Sequence, residues 1–240
     1  MSSSIVIERN DAVLELVLNS PETGNVITED MGQVLEQTLR DVGSEVKLVR
    51  LRANGEHFCR GRKSPPIDRA TATALAFRQK IAEGPLCLYQ AFRACHAPII
   101  GVVQGEALGV GCALAALCDL TIASEAAIFA VPEMDHGIPP TLVISALAGR
   151  VPYKAISHLV YSRQRISARQ AAEIGIVGQI VPLDSLGAAS DELVDVMLKN
   201  TAAALQGVKE YLRHAARLEP EAQTSLASSI IATVLSSQNR

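Results

Sequence analysis

The sequence lacks a hydrophobic segment that could cross a membrane. No apolar stretch reaches the ~18 residues needed to span a bilayer. The N-terminus, MSSSIVIERND, has no basic segment followed by a long apolar run, which is the pattern of a secretory signal peptide. We therefore expect a soluble, cytoplasmic protein that makes no contact with a membrane.

An excess of positive charge is also absent. Lys and Arg number 22 against 25 Asp and Glu, which gives a formal net charge of −3. A domain that binds nucleic acid usually carries a basic face, whereas this sequence has one short basic cluster, at residues 60–63. The charge gives no support to nucleic-acid binding.

Cysteines are few and odd in number, which does not fit a disulfide framework. They lie mostly among apolar residues, so we expect the reduced, buried thiols of an intracellular protein. The five are Cys59, Cys87, Cys95, Cys112 and Cys118.

Three common signatures of catalytic or cofactor sites are missing. There is no G-x-S-x-G of a serine hydrolase. The glycine spacing G-x-x-x-G-x-G differs from the G-x-G-x-x-G of dinucleotide-binding proteins. His57, His96, His158 and His214 share no metal-ligand spacing. We expect neither a nucleotide cofactor nor a metal.

The pattern of apolar residues predicts an α/β fold. Hydrophobic residues make up 48% of the chain, which is typical of a globular protein with a substantial core. Ile5–Glu8 and Ala12–Leu18 predict a hairpin, Thr28 predicts the N-cap of a helix, and a weaker pattern predicts a helix over Ile67–Ile81. Strands and helices alternate in the first two thirds and helices follow, so we expect an α/β core with a C-terminal helical appendage.

Residues 103–140 contain the strongest functional signal. Gly109 and Gly111 precede Cys112–Leu117, which is apolar all round and therefore predicts a buried helix. The free amides at the start of such a helix bind an anion or a developing oxyanion. Glu133 follows two short apolar segments and Pro132, so its carboxylate could face the same helix end. Amide donors and one carboxylate base together can move a proton beside a carbonyl.

A plainer interpretation of the same residues stays open at this point. The glycines permit close packing of a helix on a strand, and Glu133 complements the dipole of a following helix as a first-turn glutamate.

Three segments together resemble the crotonase (enoyl-CoA hydratase/isomerase) superfamily. They are HFCRG at residues 57–61, APIIGVVQGEALGVGCALAALCDLTIASEAAIFAVPEMDHG at 97–137, and ISARQAAEIGIVGQIV at 166–181. The resemblance implies a crotonase-like spiral of repeated ββα units over residues 1–182, followed by a helical oligomerisation region over 183–240. It also implies an acyl-CoA thioester as substrate, coenzyme A as part of that substrate with no separate cofactor, and a homotrimer or dimer of trimers.

The resemblance also implies an oxyanion hole made of two backbone amides. The residue before Gly61 is Arg60, and the middle of Gly109-Val110-Gly111 is Val110, where the family usually has glycine. The change to valine keeps the N–H and narrows the pocket.

The carboxylates decide which reaction is favoured. Hydratases of the family use two glutamates, and the first of these positions is Ala113 here, while the second is Glu133. One base and an oxyanion hole suffice for a double-bond shift, so the sequence favours an enoyl-CoA isomerase over a hydratase. A second acid or base could still come from Glu106, Asp135 or His136, although none matches a catalytic position of the family and each also fits an ion pair or a turn.

Three cations are candidates for binding coenzyme A. Arg62 and Lys63 stand where the family has an Ala-Asp pair, and they could hold phosphates. Lys209 stands where the family often has a lysine that reaches the nucleotide. A solvent-exposed loop explains Arg62 and Lys63 equally well, and a lysine on the surface of a helix is the favoured interpretation of Lys209.

Other activities fit the same site. A hydratase with an atypical second acid or base, a CoA-thioester hydrolase, a decarboxylase, a dehalogenase and an inactive CoA-binding homologue all remain possible, the last because Ala113 and Val110 are both departures from the family pattern.

Overall fold

The computed structural model describes residues 3–237, so the outer ends of the predicted regions 1–182 and 183–240 lie outside the described residues. The chain begins with a hairpin of β1 (Ile5–Asn10) and β2 (Val13–Leu18). The two strands pair antiparallel, as the sequence predicts. Asp11 at the turn has φ 51°, a left-handed conformation that aspartate tolerates better than most residues.

A six-stranded sheet forms the centre of the molecule. β2 continues in parallel pairing to β3 (Leu48–Ala53), then β4 (Ile99–Val103), β6 (Leu120–Ser124) and β9 (Gln179–Val181). The spatial order is β1-β2-β3-β4-β6-β9. Because these neighbours run parallel, the loops that follow their carboxyl ends collect at one edge of the sheet, and the loop after β3 leads into the 58–63 segment of the candidate site.

A second, three-stranded sheet was not predicted from the sequence. It contains β5 (Glu106–Leu108), β7 (Ile128–Ala130) and β8 (Ile166–Ser167), in the order β5-β7-β8. Two or three residues are too few to show the period-two alternation by which strands are recognised. The sequence context of Glu106, just before the helix predicted over Cys112–Leu117, indicates a loop, whereas in the structure Glu106 is the first residue of β5.

Helices cover the sheets as the apolar periodicity predicts, with one exception. Those of the core are α1 (Glu29–Arg40), α2 (Ala74–Phe77), α3 (Gly84–Ala94), α4 (Val110–Leu117), α5 (Thr141–Leu147), α6 (Tyr153–Ser162) and α7 (Ala168–Glu173). The Thr28 side chain caps α1 by accepting from the Met31 amide.

The predicted helix over Ile67–Ile81 is wrong in its first half, up to Thr73, and is confirmed from Ala74 onward. The Asp68 side chain accepts hydrogen bonds from the Ala70 amide and the Thr71 hydroxyl, and such local bonds compete with helix formation. Helical structure starts only at α2, after Thr73, and continues as a wide π-helical turn over Arg78–Glu83 into α3.

The C-terminal region is helical, as expected. It consists of α8 (Leu186–Leu198), α9 (Ala202–Ala215) and α10 (Pro220–Ser237). Leu186, Val194 and Met197 of α8 pack on side chains of the six-stranded sheet, and α10 packs on α9.

Within residues 3–237, no helix combines the length and the apolar content that a membrane crossing requires. The division of the chain at residues 182 and 183 stays a prediction.

Candidate active site

The first turn of α4 forms one wall of the site. Gly109 is its N-cap, with φ 52°, a conformation that L side chains rarely adopt. A Cβ at Gly111 would lie 2.1 Å from the Cys59 carbonyl oxygen, so only glycine lets α4 approach the 58–63 segment this closely. As the first residue of the helix, Val110 has no intrahelical acceptor for its N–H, and no acceptor for it is found elsewhere in residues 3–237.

The structure contradicts the assignment of Arg60 as the other amide donor. The Arg60 N–H donates to the Gly24 carbonyl at 3.0 Å and is therefore already used. The predicted position is wrong because the Arg60 N–H faces the loop of residue 24, and Gly61, with φ 120°, interrupts the regular extended backbone before Arg62.

The amide two residues further on, that of Arg62, is available. The Ile27 N–H donates to the Gly61 carbonyl at 2.9 Å, and the Lys63 N–H donates to the Ile27 carbonyl at 2.9 Å. The Arg62 N–H therefore points away from residue 27, and it has no backbone acceptor in the described chain. Arg62 and Val110 line the same cavity.

A buried asparagine holds the loops that carry this segment. Asn25 is fully buried, and its side-chain amide donates to the carbonyls of Asn54 at 2.9 Å and His57 at 2.8 Å. Its carbonyl oxygen accepts from the Ser20 amide. The loop before α1 is thereby tied to the loop that leads into residues 58–63.

Glu133 lies against the start of α4. It follows β7 and opens a short 3₁₀ turn that ends at Gly137. A Cβ added to Gly109 would be 2.5 Å from Glu133 Oε1, so the glycine makes the room in which this carboxylate sits. Oε2 is buried and has no hydrogen-bond partner among the described residues. Burial raises the pKa of the Glu133 carboxyl, because an ionised group loses water there.

Tyr89 of α3 was not singled out from the sequence, and the structure places it near Glu133. Its side chain is fully buried, and its hydroxyl has no hydrogen-bond partner within residues 3–237. Burial raises the pKa of the Tyr89 phenol, and the negative charge of Glu133 raises it further. In the sequence Tyr89 is one apolar-face residue of a helix, and nothing marks its hydroxyl as unpaired.

The three other candidate acids or bases do not join Glu133. Glu106 forms ion pairs with Arg60, at 2.7 Å, and with Arg165. Asp135 is half-exposed and pairs with Arg163 at 3.1 Å, and His136 is exposed. Of these four candidates, Glu133 alone faces the start of α4. Ala113, fully buried within α4, adds no further group, because alanine has no side chain that can accept or donate a proton.

The cations predicted to bind coenzyme A have different environments. The Arg62 guanidinium donates to the Ile81 carbonyl at 2.9 Å, and burial lowers its pKa. Lys63 is exposed, so its predicted role stays a prediction. The structure contradicts the role of Lys209, because this side chain is buried, donates to the Ala97 carbonyl at 2.8 Å and forms an ion pair with Asp119 at 2.7 Å.

Four of the five cysteines are buried, as predicted, and all five are free; Cys87 is partly exposed. Burial raises the pKa of the Cys59 and Cys112 thiols to about 12. Both therefore stay neutral and unreactive beside the site.

The sequence is similar to a family of known proteins over nearly its whole length. A family model described as enoyl-CoA hydratase/isomerase matches residues 8–240. The 2,3-dehydroadipyl-CoA hydratase of Escherichia coli strain K12 is 26% identical, over 99% of this chain and 92% of the relative.

Solved structures show the same fold. The crystal structure of an enoyl-CoA hydratase from Mycobacterium smegmatis matches with a TM-score of 0.89 and 26% identity, over 97% of this chain and 91% of that one. A putative enoyl-CoA hydratase from Thermobifida fusca YX, solved in complex with CoA, matches with a TM-score of 0.88 and 24% identity, over 98% and 94% of the two chains. The predicted crotonase-like α/β class with a helical C-terminal region is confirmed.

Proposed function

The chain belongs to the enoyl-CoA hydratase/isomerase family, and from this we infer that its substrate is an acyl-CoA thioester. The observation that carries the proposal is the placement of Glu133. Its partly buried carboxylate lies against the N-terminus of α4, where the Val110 amide lacks an acceptor in the described chain. A base next to an anion-stabilising helix end suits the removal of a proton beside a carbonyl.

The thioester oxygen is held, in this proposal, by the amides of Arg62 and Val110. Neither N–H has a backbone acceptor within residues 3–237, and the two residues line one cavity. As the proton leaves C2, negative charge develops on the oxygen, and two preorganised donors stabilise it more than they stabilise the neutral thioester. Each such donor contributes about 2.7–4 kcal/mol in comparable oxyanion holes.

A double-bond shift is the reaction that one carboxylate can complete. Glu133 takes a proton from C2 of a 3-enoyl-CoA, and the resulting dienolate is held at its oxygen. The protonated Glu133 then returns the proton to C4, which leaves the double bond between C2 and C3. The support is the environment of Glu106, Asp135 and His136, which are paired with arginines or exposed to solvent.

Hydration of a 2-enoyl-CoA is the second candidate. It is favoured by the similarity to proteins that are named hydratases, and it would need a second group to orient water.

One experiment distinguishes isomerisation from hydration. The protein is incubated with a 3-enoyl-CoA and, separately, with a 2-enoyl-CoA, and the products are identified by chromatography and mass spectrometry. A 2-enoyl product from the first substrate supports isomerisation, and a 3-hydroxyacyl product from the second supports hydration. Binding without turnover would indicate an inactive homologue, and free CoA would indicate a thioester hydrolase.

Substitution of Val110 by proline tests the amide donor directly. Proline is well tolerated at the first position of a helix, where it removes an N–H that has no intrahelical acceptor. We expect kcat to fall about 10²–10³-fold, the usual cost of losing one oxyanion donor. Steady-state kinetics of Val110→Pro and Val110→Ala provide the comparison, since alanine shortens the same side chain and keeps the N–H. Equal losses in both variants would contradict the assignment.

As the pH is lowered, the activity should begin to fall at a higher pH than it would if the base were a glutamate with an ordinary pKa. Glu133 must be ionised to accept a proton, and burial raises its pKa above the usual value of about 4.3. As the pH falls through this raised pKa, the carboxylate becomes protonated and the rate drops. A profile of kcat/KM against pH locates the inflection. An acid limb at the ordinary glutamate value would contradict the buried base.

Homo-oligomerisation into a trimer or dimer of trimers is proposed as well. Exposed apolar side chains occur on both C-terminal helices, namely Val208 and Leu212 on α9 and Ile231 and Leu235 on α10. Such side chains favour contact with another protein surface. Size-exclusion chromatography with light scattering gives the assembly directly, and a monomer at micromolar concentration would contradict it.

A further inference from the structure

Two buried polar atoms in the candidate site complement each other and are both unpaired. They are the Tyr89 hydroxyl and Glu133 Oε2, and neither has a hydrogen-bond partner in the part of the chain that the structure describes. Buried polar groups of folded proteins are nearly always hydrogen-bonded, so each exception needs an explanation. One is a donor and the other an acceptor.

The helix that carries Tyr89 borders the cavity of the two amide donors. Pro85 and Leu88 of α3 line this cavity together with Arg62 and Val110. α3 also packs on α4, and the first turn of α4 lies against the Glu133 carboxylate. Tyr89 follows Leu88 in this helix, and its phenol lies within the electrostatic reach of the Glu133 carboxylate.

We propose that Tyr89 is the positioning residue of Glu133: in the substrate-loaded site its hydroxyl donates a hydrogen bond to Oε2 of the carboxylate. This inference rests on the proposed function, because it takes Glu133 as the base. Hydrogen bonds of catalytic groups are often long or unformed without substrate and tighten in the complex. Substrate also excludes water, which leaves each of the two atoms as a partner for the other.

Burial and the surrounding charges keep the Tyr89 hydroxyl protonated, so that it can donate a hydrogen bond. The groups that face the phenol from the packed elements are Glu133, Arg62, Cys59 and Cys112, and Arg93 lies on the same helix. Burial and the Glu133 charge raise the pKa of the phenol, and the positive charge of Arg62 lowers it by less. The exposed His136, in the same 3₁₀ turn as Glu133, favours the carboxylate form when it carries a positive charge. The phenol thus stays protonated throughout the range in which Glu133 titrates.

A hydrogen bond to one oxygen of a carboxylate has two consequences for a base. It fixes the rotation of the carboxyl group, so that the other oxygen, Oε1, keeps its position beside Gly109. It also stabilises the ionised form and so lowers the pKa of the Glu133 carboxyl in the complex. Burial alone would hold this pKa higher.

The test is Tyr89→Phe, which removes one oxygen atom and keeps the ring. We expect kcat for a 3-enoyl-CoA to fall about tenfold or more, with KM unchanged within about twofold. The acid limb of kcat, which reports the loaded enzyme, should move up by about one pH unit, whereas that of kcat/KM, which reports the free enzyme, should stay in place. The matched control is Tyr153→Phe, since that hydroxyl belongs to a side chain that is 83% exposed; it should leave both profiles unchanged.

A purely structural role gives a different result. If Tyr89 only fills the core, Tyr89→Phe removes an unpaired buried hydroxyl and leaves kcat and its acid limb as in the wild type. That outcome overturns the proposal, as does an equal effect of Tyr153→Phe. A thermal midpoint of Tyr89→Phe at or above that of the wild type, together with the loss in kcat, supports it, because the hydroxyl would then serve turnover and not folding.

A second experiment distinguishes failure of the proposed function from failure of the role proposed for Tyr89. Exchange of the C2 protons of a saturated acyl-CoA in D₂O, followed by NMR, needs only the base and the oxyanion donors. A wild-type protein that neither exchanges these protons nor shifts a double bond overturns the proposed function, and the role of Tyr89 with it. Exchange at the wild-type rate in Tyr89→Phe overturns the role of Tyr89 alone.

Discussion

Glu133→Gln should lower turnover of an enoyl-CoA by about 10³–10⁴-fold, near the upper end of what general acid–base catalysis contributes. The amide has almost the same size and shape as the carboxylate, so it fits the room left by Gly109. It cannot accept a proton from C2, and without that proton transfer neither the dienolate nor its product forms. Because Glu133 is partly buried as a carboxylate with an unpaired oxygen, the neutral variant should be at least as stable as the wild type.

Kinetics with the proposed 3-enoyl-CoA substrate, together with exchange of its C2 protons in D₂O, measure the loss in Glu133→Gln. Asp135→Asn provides the control, because it makes the same chemical change two residues away on an exposed carboxylate. We expect that control to retain the wild-type rate. If Glu133→Gln kept more than about a tenth of the activity, a different group would be the base.

Lys209→Met should destabilise the fold by about 3 kcal/mol, the lower end of the cost of leaving one member of a buried ion pair alone. Lys209 is 7% exposed and its partner Asp119 is 21% exposed, so the pair is well shielded from water. Asp119 also accepts from the Ile99 amide at 2.8 Å, at the start of β4. The lysine of α9 is therefore the nearer of two cations, with Arg150 at 3.9 Å, that compensate the Asp119 charge at the start of a central strand. Methionine keeps the length of the side chain and removes the charge.

Thermal and denaturant unfolding measure this effect, and roughly 2–4 °C of melting temperature per kcal/mol is expected for a chain of this size. Lys154→Met, at an exposed position of α6, is the control and should stay within about 0.5 kcal/mol of the wild type. The double variant Lys209→Met, Asp119→Asn should recover part of the loss, because it removes the uncompensated charge. Unchanged stability of Lys209→Met would show that the pair contributes nothing.

Much of the fold is encoded locally and is predictable. Thr28 caps α1, and the all-apolar run from Cys112 to Leu117 forms a helix that is buried on every side. The second sheet is not predictable in this way, because β8 has two residues and depends on pairing with distant segments. The first half of the helix predicted over Ile67–Ile81 shows the opposite case, in which local bonds of Asp68 override a weak periodic pattern.

The candidate site likewise contains residues that the local sequence predicts and residues whose role depends on distant segments. Sequence motifs identify Glu133 and Val110, because their positions depend on one helix start and one strand end. They do not identify which backbone N–H of the 58–63 segment lacks an acceptor. That N–H is set by the hydrogen bonds of Ile27 to Gly61 and Lys63, on either side of Arg62. Burial of Lys209 depends on the packing of α9, more than 100 residues away in sequence from Ala97. Tyr89 becomes a candidate only when its hydroxyl is seen to lack a partner in the described chain.

The contact between Gly109 and Glu133 also limits how this chain can diverge. Any side chain at residue 109 would occupy the space of Glu133 Oε1, and the backbone there is unfavourable for residues other than glycine. A larger residue at 109 therefore requires the Glu133 carboxylate to move away from the start of α4. A chain that replaces this glycine gives up the present placement of the carboxylate, even when Glu133 itself is kept.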